Sequence, residues 1–311
     1  MNRKSAFLEP EINQYGSHMV MSNVTRHSKF TFINIDTKYR DNLDTQSVIS
    51  YPANYNITLP ERVNDVKSVM VCNAEIPMSF YNVSSSLGNN YFKIVTGTTI
   101  AGSSPILIQI PNGEYTTATL KVAINSAINS TSYNGKITVD ILDPSKFATI
   151  TANSGGPYTI VFDVDINGNA DAYNFKNKLG WLLGFRKRHY TVSTPNKITS
   201  ENMVDMNTIR YLYLAVEEFT KGTQNSFLSP MSNSFLRSKT ILAKISLNKK
   251  TFSFGDILPA NNFNGYLLSD RRQYSGKVDL QKLNVQLIDE NGTPVDLNGM
   301  DFSFCIEVEH E

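Results

Sequence analysis

A chain of 311 residues that is 41% hydrophobic and 11% aromatic has the material for a large packed core, which excludes wholesale disorder. Its 29 basic and 28 acidic residues leave a net charge of +1, without the basic excess of a protein whose main task is to wrap nucleic acid. Two cysteines, Cys72 and Cys305, make neither a disulfide framework nor a metal site; their apolar flanks read as two buried thiols.

Residues 1–29 are polar and unpatterned, and read as an arm that either orders against a neighbour or is a plain loose terminus. The first ten residues lack the apolar stretch of a signal peptide, and no apolar run approaches the ~20 residues of a membrane span. The glycosylation tripeptides at Asn23, Asn56, Asn82, Asn129 and Asn291 then read as products of heavy Asn usage.

From Phe30 the pattern changes to period two, the mark of strands with one buried face. Strands are predicted at 30–35, 55–60 and 66–77, with Pro60 and Pro77 at strand ends where a missing N–H costs nothing. Ser84 to Asn90 reads as an exposed loop.

The rhythm alters between about 91 and 204. Strands are predicted at 91–95 and 106–110, and a turn at 111–115. Leu120, Ala123, Ile124, Ala127 and Ile128 recur at helical spacing behind Thr116 or Thr117 as a cap. Further strands follow at 136–141, 148–151 and 158–162, then a helix within Tyr173 to Leu183 that ends at Gly184. After Asn207 the chain reads as β again, with strands at 209–216, 240–245, 265–268, 283–288 and 302–309. About eight strands flank the middle block, the number a jelly roll needs. The expected fold is therefore mainly β: a single eight-stranded jelly roll with an inserted small α+β domain. Its divisions are the 1–29 arm, 30–90 as the first part of the jelly roll, 91–204 as the insertion and 205–311 as the second part.

Chemistry is thinly supported. The histidines are His18, His27, His189 and His310, and none has a second ligand type at metal spacing. Asp163 and Asp165 sit in a stretch with Gly168 at the calcium-loop position, but Asn174 stands where the bidentate Glu belongs, so a polar turn is expected. There is no nucleophile elbow and no phosphate-binding glycine loop. The basic run Arg186-Lys187-Arg188-His189 either touches an anionic surface or caps a helix C-terminus. Arg271-Arg272 and Lys249-Lys250 read as ordinary solvated cations, and the apolar run from Leu179 to Phe185 as packing. Tyr91, Tyr133 and Tyr158, if exposed, would allow a carbohydrate-binding β-sandwich. No catalytic, cofactor-binding or metal-binding residue is nominated, and the chain is expected to be a building piece and not an enzyme.

Several short motifs occur in a set order: Ile35-Asp36-Thr37-Lys38-Tyr39-Arg40-Asp41, Tyr55 to Pro60, Val66 to Pro77, Tyr81-Asn82-Val83, Ile110 to Thr116, Leu182 to Phe185, and Leu297 to Phe304. In that order they resemble the penton and minor capsid proteins of large nucleocytoplasmic DNA viruses, the giant viruses, over most of 30–311. The resemblance implies a structural virion protein that forms a homopentamer at the five-fold vertices of an icosahedral capsid. The alternative is a minor capsid protein that cements major capsid capsomers from beneath. Implied partners are further copies of the chain, the major capsid protein, other minor capsid proteins and an inner viral membrane, with no cofactor and no direct nucleic-acid role. The implied location is the virion, assembled in the host cytoplasm. The Asp36 to Asp41 loop is expected to be a salt-bridged corner, within or between subunits, or else a solvated turn.

Overall fold

The computed structural model describes residues 28–41, 53–171, 174–219 and 241–311. Nearly all of the predicted arm, with His18, His27 and Asn23, lies outside these residues. The described fold is mainly β, built from curled antiparallel sheets as in a β-sandwich.

β1 (Lys29–Asp36) leads to β2 (Asn54–Pro77), a 24-residue strand where the sequence predicted two. In the second core region come β3 (Tyr91–Thr96), β4 (Ser103–Gln109), α1 (Thr117–Asn129), β5 (Ile137–Ile141), β6 (Phe147–Ala152) and β7 (Tyr158–Val161). There follow α2 (Leu179–Leu182), β8 (His189–Val192) and β9 (Lys197–Met203). The chain then returns through β10 (Tyr211–Glu217), β11 (Ile241–Ser246), β12 (Ile257–Asn261), β13 (Leu267–Ser269), β14 (Arg272–Ile288) and β15 (Ser303–His310).

Pairing of the first sheet runs β1-β15-β2-β14-β10-β11-β13, with β12 also on β2. β2 changes partners along its length. Residues 54–58 face 282–286 of β14, which follows β2 with slipped register as far as Val69, while 66–75 also face β15 and 73–77 face β12. It bends between these halves, where Asp65 has φ of 54° and the register against β14 slips. Pro60 lies inside β2 and not at a strand end, in the stretch between Thr58 and Val63 where β14 makes no continuous ladder, so its missing N–H is still not needed. Period-two residues from both halves fill one core. Val69, Val71, Ala74, Ile76, Phe304, Ile306 and Val308 come from one side, and Tyr55, Ile57, Leu283, Val285 and Leu287 from the other.

A separate core is built by the four-stranded sheet β4-β3-β7-β8, the three-stranded sheet β5-β6-β9 and α1. Thr116 caps α1 in a capping box with Thr119, and Leu120, Ile124 and Ile128 are buried, as their spacing requires. The second predicted helix is shorter than expected: a 3-10 turn at 175–177 and the single turn of α2. Lys178 interrupts them in an extended conformation, which buries its ammonium against Asp171 at 2.7 Å and 5.2 Å from the Tyr91 ring centre. β8, β9, β12 and the first half of β14 were not predicted. β12 carries Pro259 and pairs as an edge strand on β2, and β8 is only four residues long.

Gly184 ends α2 at φ of 91°, and a Cβ there would run into the backbone carbonyl of Asn202. Gly184→Ala is expected to destabilise the protein by more than ~2 kcal/mol, read from urea midpoints. Gly276→Ala meets no atom within 4 Å and should change stability by less than ~1 kcal/mol. Equal effects would remove the steric explanation.

Candidate assembly surface

The Asp36 to Asp41 loop is a salt-bridged corner within the chain. A 3-10 turn at Thr37–Tyr39 follows Asp36, whose carboxylate accepts from Lys38 N at 3.0 Å and pairs with Lys38 Nζ at 2.9 Å. That contact raises the Lys38 pKa above its ordinary value. Thr37 is buried, donates its hydroxyl to Asp301 at 2.6 Å and accepts from Phe302 N at 3.0 Å. Arg40 pairs with Asp301 at 2.8 Å and donates to Thr37 O at 2.7 Å. Asp41 accepts from the backbone and hydroxyl of Thr58 at 3.0 and 2.8 Å. Two motifs far apart in sequence, 36–41 and 297–304, are thus locked together, and Tyr39 is left 70% exposed at the tip.

The predicted exposed loop at 84–90 is exposed at Ser85 and Ser86, whereas Ser84, Asn89 and Asn90 at its two ends are buried, a correction to the reading there. Burial is tolerated because the amides are bonded. Asn82 exchanges two bonds with the backbone of Tyr115 at 2.7 and 2.8 Å, and Asn89 Nδ2 donates to Asn82 O at 2.9 Å. Asn90 Nδ2 donates to Ile110 O at 2.9 Å. The motifs 81–83 and 110–116 meet at this joint.

Arg272 is not a solvated cation. It is wholly buried, pairs with Glu218 at 2.7 Å and donates to Val216 O at 3.0 Å, while Tyr274 donates to the same carboxylate at 2.7 Å. Burial, reinforced by Glu218, pushes the Tyr274 phenol well above its usual range. Arg271 is also engaged, since it reaches Ser68 at 3.1 Å, pairs with Glu307 and Glu309, and lies 5.5 Å from the Phe30 ring centre. It therefore straps the outer face of β2, β15 and β1. Alternation explains what the sequence reading missed: Val71, Phe304 and Ile306 point into the core, so Cys72 and Cys305 point outward. Both thiols are half-buried and free, a correction to the expected buried pair.

Other candidates are absorbed by local structure. Arg186 lies 4.1 Å over the Trp181 ring and donates to the carbonyls of Trp181 and Phe185, satisfying the end of α2. The Tyr190 hydroxyl accepts from the amides of Arg186 and Lys187 and donates to Glu201. Asp165 accepts from the amides of Asn167 and Asn169, each at 2.8 Å; these bonds, that from Asn169 first, hold its pKa below the ordinary value. His189 opens β8, and His310 meets Thr31 at 2.8 Å. Tyr91, Tyr133 and Tyr158 are buried, which removes them as sugar-stacking platforms. Among the described residues, no three His, Cys, Asp or Glu side chains converge as a metal set, and no helix is long and apolar enough to cross a membrane.

A cavity of about 260 Å³ lies where the two cores meet, with Trp181 and Lys178 on one side and Asp289 and Val295 on the other. Burial raises the Asp289 pKa, against backbone bonds from Thr293 and Asn291.

No family model matches the chain, and no curated protein matches it. Among solved structures it is similar to the crystal structure of selenomethionine-labelled mavirus penton protein, with 11% sequence identity and a TM-score of 0.43, over 92% of this chain and 100% of that one.

Arg272→Met strands the Glu218 carboxylate and should cost ~3–5 kcal/mol in urea unfolding, whereas adding Glu218→Leu should recover at least half of that loss. An additive double variant would mean that the pair is not coupled. Asp289→Asn keeps an acceptor and removes a buried charge. A carboxyl with a raised folded pKa favours the fold below its unfolded value near ~3.8 and weakens it as pH rises through the folded value. The variant should therefore gain on the wild type between pH 3.5 and 7. Parallel stability curves would contradict this.

Proposed function

We propose that this chain is a structural capsid protein of the penton type, a homopentamer at the five-fold vertices of an icosahedral virion. The observation that carries the reading is the way eight strands share out their partners. Counting the two halves of β2 separately, β1, β15, the second half of β2 and β12 lie side by side. The first half of β2, the second half of β14, β10 and β11 form the other row, and the start of β14 reaches back to Val66, Ser68 and Val69 in the second half of β2. First pairs with eighth and second with seventh, while third lies between eighth and sixth, an order that supports the reading of a single jelly roll. β13 is an extra short strand on β11.

The insertion fits the same plan. Both its ends leave the jelly roll at one connection, between β2 and β10, and it carries its own core from Val83 to Met206. A β-sandwich closed in this way protects most strand edges and leaves loops at each end for neighbours. An added domain at one end gives the vertex an outward or inward projection without disturbing the packed sheets. On this reading the partners are four further copies of the chain and the surrounding major and minor capsid proteins, in a shell assembled in the host cytoplasm.

Light scattering on the purified protein should give five times the 34.8 kDa chain mass, with five-fold rings by negative stain. A stable trimer would overturn the penton reading.

A further inference from the structure

β2 and β15 lie side by side in the first sheet, and one irregularity in their ladder brings the two cysteines together. Cys305 faces Asn73, while the next residue of β15, Ile306, faces Val71. Cys72 is therefore the extra residue of a β-bulge, and it shares with Asn73 the place opposite Cys305. Val71, Phe304 and Ile306 point into the core, so both thiols stand on the outer face, each half-buried. Opposed residues of an antiparallel pair have Cα atoms ~4.5–5.5 Å apart, inside the ~4.4–6.8 Å that a disulfide spans. Their Cβ atoms have to close by about 1 Å to reach disulfide geometry. Register at a bulge is already broken, so that shift does not have to be carried along the ladder.

The neighbours on this face distinguish the two thiols. Asn34 of β1 stands beside Cys305, and Arg271 reaches across to Glu307 and Glu309. Burial raises the pKa of both thiols, and the Glu307 carboxylate adds to it. Cys305 is close enough to Cys72 to be among the charges that raise it. For Cys72 alone, the Glu307 amide and the Arg271 guanidinium act the other way. Cys72 is thus the better placed to become a thiolate, whereas the Cys305 thiol donates weakly to Ile306 O at 3.9 Å. Thiols held protonated by burial give a disulfide that resists reduction, the reverse of the low-pKa thiols of strong oxidants.

We propose that Cys72 and Cys305 are a redox-modification site, a dithiol that closes to a disulfide across β2 and β15 by exchange with a small-molecule disulfide of the glutathione class. The Cys72 thiolate attacks one sulfur of that disulfide and bonds to it, and the other sulfur leaves as a thiolate that takes up a proton. Cys305, deprotonated in turn, attacks Cys72 Sγ, forms the protein disulfide and expels the second small thiol. The chain loses two protons and two electrons, and the small disulfide gains them. The product ties strands roughly 230 residues apart in sequence. It encloses everything from β3 to β14 in one loop, the second core included. A sheet formed with reduced thiols in a reducing compartment thereby becomes covalent in an oxidising one.

The full chain is incubated with excess glutathione disulfide under native conditions and, in parallel, in concentrated urea. The folded chain should lose both free thiols, become about 2 Da lighter and yield a Cys72–Cys305 cross-linked peptide on non-reducing digestion. The unfolded chain, which must close a very long loop, should instead take up two glutathiones. The closed protein should melt at least ~5 °C above the reduced one, and dithiothreitol should abolish the gain. Cys72→Ser and Cys305→Ser proteins should each take up a single glutathione without a rise in melting point, Cys305→Ser the faster because it keeps Cys72. Two glutathiones on the folded chain, a disulfide between chains, or a closed form that melts no higher than the reduced one would overturn the proposal.

Discussion

β2 is the constraint on which the larger core depends. A strand of 24 residues that ran straight would be too long to wrap a core. By bending near Asp65, and taking β15 and then β12 as further partners while β14 follows it as far as Val69, it delivers Tyr55 and Ile57 to one wall and Val69, Val71, Ala74 and Ile76 to the other. The bend must fall where the ladder can be broken cheaply. Pro60, which lacks a donor, and the register slips against β14 place it between Thr58 and Val66. The side-chain period is preserved on either side of it, so neither wall loses its apolar face.

Polar contacts then hold what the strands bring together. The buried Arg272–Glu218 pair, with Tyr274 on the same carboxylate, ties the beginning of β14 to the end of β10. Such a pair gives little net stability, because desolvation offsets much of the attraction, but it penalises any register that separates the partners. Arg271 acts across the outer face, and Asp301 links the corner after β1 to the segment before β15. The asparagine joint at 82–90 does the same where the chain enters the second core, where backbone groups would otherwise be buried without partners.

The sequence was informative wherever one physical period governed a segment. Phe304, Ile306 and Val308 are buried as alternation demands, and α1 starts at Thr116 with Leu120, Ile124 and Ile128 inward. It was silent where a pairing partner, and not local pattern, decides the state. β12 is a strand because β2 offers it an edge, in spite of Pro259. Ser84, Asn89 and Asn90 are buried because Asn89 accepts from the Ser84 amide and the carbonyls of Asn82 and Ile110 accept from the two asparagine side chains. Arg272 was misread for a related reason, since nothing local distinguishes a cation aimed at Glu218 from one in water. Cys72 and Cys305 were misplaced by one face: their apolar neighbours are inward, which obliges the cysteines to be outward. The corner at 36–41 was legible as a charged turn, but its lock came from Asp301, 261 residues from Arg40.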